Sequence, residues 1–272
     1  LGGSTQAVGA DFGDEGCSAT PEEKRVEQEI GVPLFLDSNA TPAERSTLAR
    51  RIAETYREAR DNWDLFDEQF ALITYMIVEE LDNDFEIGWY NPPTHGLHVS
   101  CTEDARYCIE DDALIHELGH AWYFALPSGE RQRLREEWSA ISNGAYQCSM
   151  LEMLFGECEF MKNCEPAGRD LATVSCYATT HLLEDFAETM MFVYIVNNPH
   201  RRLPGFPSPQ PEFRDYSLQE EPRLTGGIHL FSGTLPRIRQ KIELLAEYRA
   251  FSERERDYAL QQLDAGERGQ EE

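Results

Sequence analysis

Apolar residues recur at helical spacing along most of this 272-residue chain, and the interruptions of that spacing divide it into elements. Leu48, Ile52 and Tyr56 stand one turn apart behind Thr41-Pro42-Ala43-Glu44, where Thr41 suits a cap and Pro42 a first turn. This predicts a helix running to about Asn62. Phe70, Ile73, Met76 and Ile77 predict a second helix over about 67–81. Two extended pieces follow, 85–90 and 96–101, divided by Pro92-Pro93. Ala113, Leu114, Ile115, Leu118, Ala121 and Trp122 then form an almost wholly apolar helix, with the oxygens of Asp111 and Asp112 offered as caps and Pro127-Ser128-Gly129 as its stop. Leu134, Trp138 and Ile141 mark an amphipathic helix over 129–142. Residues 143–176 read mostly as loop, with a short helix at 150–155. A second strongly apolar helix carries Leu182, Leu183, Phe186, Ala187, Met190 and Met191 and ends at Asn197-Asn198-Pro199. Terminal helices are expected over 236–248 and 250–263, between the proline-rich excursion 204–211 and the acidic end. The expected fold class is α+β and helix-rich, with a small strand set to one side and helices outside.

Two of these helices carry polar groups that an apolar helix does not need. His116-Glu117-Leu118-Gly119-His120 places two imidazoles one turn apart on one face, where both can reach a single metal ion. Glu117 lies on the same side but falls short of the metal, at a position suited to take a proton from an attacking water. Two histidines also meet on a core helix without any metal, so a third ligand decides. The metzincin continuation would require glycine and histidine where this chain has Tyr123 and Leu126. A glutamate from a second helix is available instead, in Leu182-Leu183-Glu184-Asp185-Phe186-Ala187-Glu188. Glu184 and Glu188 share a face at i,i+4, and buried acids among such apolar neighbours are costly unless something positive meets them. This assigns Glu184 as a metal ligand and Glu188 as the acceptor holding a ligand histidine by its other ring nitrogen. Asp185 points about 100° away and is expected to face solvent or another helix. His95 and His98 read as strand or surface residues rather than ligands. His181, one turn before Glu184, is left between two roles, a second electrophile and a cap for its own helix.

Those residues, together with Tyr177 seven positions before Glu184, resemble the catalytic domain of anthrax lethal factor and the clostridial Pro-Pro endopeptidases, which are secreted gluzincin proteases. The resemblance covers roughly residues 95–200. It implies a zincin-type metalloprotease domain with two metal-bearing helices, one zinc ion per chain held by His116, His120 and Glu184, and catalysis by Glu117 and Tyr177. In this family the tyrosine hydrogen-bonds the tetrahedral intermediate. The partner implied is a protein or peptide substrate. The stretch between His120 and Tyr177 departs from the family in being longer and carrying cysteines. A zinc amidase acting on peptidoglycan or another non-protein polymer, and a non-catalytic zinc-stabilised module, are the alternatives. Retention of Glu117 argues against the last, since a structural site has no use for it.

Composition changes the picture in three respects. Fifty acidic residues against twenty-four basic ones set a net charge of −26, a surface that repels phosphate backbones and makes nucleic acid an unsuitable partner. No apolar run of about 18 residues exists to cross a membrane. Seven cysteines without C-x-x-C spacing suggest disulfides and an extracellular, periplasmic or cell-surface setting. Cys101–Cys108 is the expected local bridge, with two more among Cys148, Cys158, Cys164 and Cys176, and Cys17 left over. A chain opening at Leu1 rather than Met suggests a processed product. Residues 1–28 read as a flexible leader, 29–265 as the catalytic domain and 266–272 as a disordered acidic tail.

Overall fold

The computed structural model of the protein describes residues 19–36, 39–79, 88–101, 108–142, 146, 173–175, 177–198 and 235–270. The first helix, α1 (Pro21–Ile30), begins inside the stretch expected to be leader. Thr20 and Glu23 form a reciprocal capping box, Pro21 opens the first turn, and Gly31, at φ 79°, ends the helix in the left-handed region that glycine tolerates. Val26 and Ile30 are buried, and Glu23 meets Arg45 of α2 (Pro42–Asn62) in a buried ion pair at 2.5 Å. Residues 19–28 therefore belong to the packed fold, and the remainder of the expected leader, with Cys17, lies outside the described residues. Helix α2 starts as its sequence predicts, with Thr41 and Glu44 completing a second capping box around Pro42.

The helix expected over 67–81 is instead a short helix followed by a strand: α3 (Phe66–Phe70), then β2 (Tyr75–Glu79). Phe70, Ile73, Met76 and Ile77 fit a helical period, but Tyr75-Met76-Ile77-Val78 is aromatic and β-branched, and its burial alternates. Met76 and Val78 are buried while Tyr75 and Ile77 are half-buried. With β1 (Leu34–Leu36), β3 (Gly88–Asn91) and β4 (Gly96–Ser100), β2 forms a four-stranded sheet in the order β1-β2-β4-β3. The first three strands in that order run parallel and β3 lies antiparallel on the edge, with Trp89 opposite His98. Residues 85–87 of the first extended piece lie outside the described residues.

Beneath the sheet, α4 (Asp111–Ala125) packs along α6 (Leu182–Asn197), and α5 (Ser128–Ser142), α7 (Leu235–Glu247) and α8 (Glu253–Gln270) surround this pair. Glu110, not an aspartate, occupies the cap position of α4, and it makes no side-chain cap bond. Asp111 and Asp112 stand inside the first turn, where Asp111 accepts a hydrogen bond from the Tyr194 hydroxyl and Asp112 bonds its neighbour Ala113 N at 2.9 Å. Helix α8 runs on to Gln270, into the expected tail. The loop helix at 150–155, the excursion 204–211 and Cys148, Cys158, Cys164 and Cys176 also fall outside the described residues, while Cys101 and Cys108 are joined by a disulfide just before α4. The molecule is thus α+β, helix-rich with a small mixed sheet. No described helix is long and apolar enough to cross a membrane.

Candidate metal centre

Close packing of α4 against α6 builds the site. Gly119 sits at the contact, where an added Cβ would lie 3.0 Å from Ala187 Cα and 3.2 Å from Met190 Sδ, so only glycine lets the two helices approach this far. That approach brings together residues 68 apart in sequence: His116 and His120 from α4, Glu184 from α6. One donor atom from each lies within 4.8 Å of the others. Glu184 Oε2 is 3.1 Å from His116 Nε2 and 3.4 Å from His120 Nε2, and the two rings stand 4.9 Å apart, nearly perpendicular at 82°.

These distances suit zinc. Donors bonded to one tetrahedral zinc at about 2.0–2.1 Å lie about 3.3–3.4 Å from each other, and two imidazoles with one carboxylate are a donor set that catalytic zinc accepts. His116 Nδ1 is 2.9 Å from Glu188 Oε1, so Glu188 fixes the ring from behind and leaves Nε2 for the centre. Burial disfavours charge on His116, but the Glu184 and Glu188 carboxylates outweigh it and hold the ring's pKa well above its ordinary value in the metal-free protein. Glu184 is correspondingly shifted down: burial opposes its charge, and the two histidines overcome that.

Glu117 is buried, and burial raises its pKa against the pull of His116 and His120. The nearby backbone N–H of Tyr90 on β3 also opposes that rise, and Oε2 has no hydrogen-bond partner among the described residues. A buried carboxylate oxygen left open beside two imidazoles is positioned to receive a proton from a molecule entering the site. The edge strand passes directly over it, since a Cβ on Gly88 would come within 3.4 Å of Glu117 Cγ. Tyr177 opens a 3-10 turn (Tyr177–Thr179) that leads into α6, and its side chain lies outside the described residues.

Three sequence readings are resolved here. Asp185 is wholly buried and faces neighbouring helices, the second of its two expected settings. Its Oδ2 accepts from Lys241 Nζ of α7 at 2.5 Å, from Tyr146 at 2.7 Å and from Trp138 Nε1 of α5 at 2.8 Å. Sequence reasoning missed this cluster, yet it left a signal: Lys241 is one of three lysines and shares a helix face with Ile238, Ile242 and Leu245, where a charge needs a buried partner. His181 takes the capping role, its Nδ1 accepting from Leu183 N at 3.1 Å. His98 stacks on Trp89 with centroids 3.8 Å apart, and His95 Nδ1 meets the Tyr90 hydroxyl at 2.5 Å, so both serve the sheet.

Comparison of the chain with protein-family models, with curated proteins and with solved structures finds no match in any of the three.

Proposed function

We propose that this chain is a secreted zinc-dependent endopeptidase of the gluzincin type, with a zincin-type fold like that of the lethal-factor and Pro-Pro endopeptidase domains it resembles. The observation that carries the reading is the placement of Glu184 Oε2 against both histidine Nε2 atoms, with Glu188 bracing His116 from behind. Zinc held by His116, His120 and Glu184 would supply the Lewis acid, lowering the pKa of a water toward neutrality and polarising a carbonyl.

The remaining work falls to the chain's own groups. Glu117 takes a proton from the water as its oxygen bonds to the scissile carbonyl carbon. When the carbon–nitrogen bond breaks, Glu117 returns that proton to the departing amine. The Tyr177 hydroxyl donates to the oxygen that becomes negative at the tetrahedral stage, a role the resemblance assigns. Edge strand β3, lying over Glu117, pairs on one side only among the described residues, and its other side can take an extended substrate backbone. The open, buried oxygen of Glu117 supports a hydrolase over a purely structural site. The Cys101–Cys108 bridge supports an oxidising compartment.

A peptide library incubated with the zinc-loaded protein tests this reading. The wild type is expected to cleave internal peptide bonds. Glu117→Gln is expected to keep its zinc and its melting temperature while losing at least about a hundredfold in kcat. Absence of cleavage by zinc-loaded wild type would return the amidase and binding-module readings. Undiminished cleavage by Glu117→Gln would remove the mechanism.

A further inference from the structure

His181 does two things that a capping residue need not do together. It occupies the cap position of α6 with extended backbone, φ −153° and ψ 153°, and accepts the Leu183 N–H on Nδ1 at 3.1 Å. Serine, threonine, asparagine or aspartate would satisfy that N–H with fewer atoms to bury, and histidine is not among the residues favoured there. An accepting Nδ1 carries no hydrogen, so in the neutral ring the proton sits on Nε2. Burial keeps the ring neutral, pushing its pKa down to about 4. Nε2 has no hydrogen-bond partner among the described residues, although the side chain is 95% buried with 5% of its surface left open.

The ring also stands at the entrance of the helix that carries Glu184. His181 precedes Glu184 by three residues, which puts the two on one side of the helix entrance. The charged groups it senses are Glu184, His120 and Arg135 of α5, the first two being candidate metal ligands. A neutral ring with its proton on Nε2 is therefore held at the start of α6, three residues before Glu184.

We propose that His181 is a hydrogen-bond donor to substrate, its Nε2–H directed at the carbonyl oxygen of the bond being attacked, while its Nδ1 holds the start of α6. The inference rests on the hydrolase reading above and adds a second donor to that of Tyr177. The ring remains neutral and passes no proton; it lends a hydrogen bond to an oxygen whose negative charge grows during attack.

Two substitutions separate the nitrogens. Asparagine places an acceptor where Nδ1 lies and nothing where Nε2 lies, so His181→Asn keeps the cap and loses the donor. Glutamine reaches the Nε2 position with an N–H but is a poor cap, so His181→Gln keeps the donor and weakens the helix start. The probe is acetohydroxamate, a small metal-directed ligand with a carbonyl oxygen, titrated into zinc-loaded protein and read by calorimetry beside zinc content and melting temperature. His181→Asn is expected to match wild type in zinc content and melting temperature yet bind the probe about tenfold more weakly. His181→Gln is expected to melt earlier yet recover most of the affinity. In turnover, His181→Asn should lower kcat with little change in KM. Wild-type affinity for the probe in His181→Asn overturns the proposal and leaves the metal reading standing, as does affinity that follows melting temperature across both variants. Zinc-loaded wild type that binds no acetohydroxamate overturns it too. A wild-type chain that holds no zinc fails at the earlier step and takes this inference with it.

Discussion

His116 shows how the residues of the centre compete for protons and metal. In the metal-free protein its two ring nitrogens face Glu184 and Glu188, which outweigh burial and raise its pKa above the ordinary value near 6.5. For a raised histidine, the sign runs one way. Its contribution to stability is fully present below the unfolded pKa and is lost as pH rises through the elevated folded value. Zinc must displace this proton, so its affinity should increase as pH is raised from 6 to 8, with proton release detectable by calorimetry in buffers of different ionisation enthalpy. Affinity unchanged over that range would contradict the pairing. The neighbouring Asp185 serves a different purpose. It points about 100° away from Glu184 around the helix, and Lys241 Nζ is held against it with both side chains at 0% exposure. Asp185→Ala would strand a buried lysine, and denaturation should register a loss of about 3–5 kcal/mol, while each molecule that still folds keeps its zinc. A stable variant that loses its metal would make Asp185, not Glu184, the ligand.

Between α4 and α6, the decisive quantity is the distance at which two helices pass. Gly119→Val would insert a side chain where even a Cβ comes within 3.0 Å of the opposing backbone. Overpacking of this kind should cost about 1–3 kcal/mol, and melting temperature and zinc affinity should fall together because the same contact positions Glu184 against the histidines. A variant that melts earlier but binds zinc as wild type would separate the two. Both helices were legible in the sequence, and so was the meeting of His116, His120 and Glu184, because the i,i+4 polar spacings stand out on otherwise apolar runs. The capping box at Thr41–Glu44 was legible too. Thr20-Pro21-Glu22-Glu23 carries the same signal, but α1 has only Val26 and Ile30 to bury, and its charged composition resembles a leader. Strand β2 was misread because a short apolar run fits both periods and pairing with β1 and β4 decides between them. Strand β1 is three residues long and has no periodicity to read. Contacts between elements distant in sequence, such as Lys241 with Asp185 or Tyr90 with Glu117, leave only a lone polar residue on an apolar face as their trace.

At the scale of the whole molecule, the site depends on every layer at once. The sheet brings its edge strand over Glu117. Helices α5 and α7 anchor α6 through Trp138 and Lys241 at Asp185, and α2 secures the approach to α4 through the Thr55 hydroxyl on Ile109 O at 2.9 Å. A charge of −26 surrounds this frame and favours cationic over anionic partners. All of it converges on one claim, that two helices hold a single zinc ion through His116, His120 and Glu184. Metal analysis of the purified chain beside Glu184→Gln tests that claim most directly. The account predicts one equivalent of zinc in the wild type and its loss from the folded variant; a wild type without zinc, or a Glu184→Gln chain that retains it at the same affinity, would contradict it.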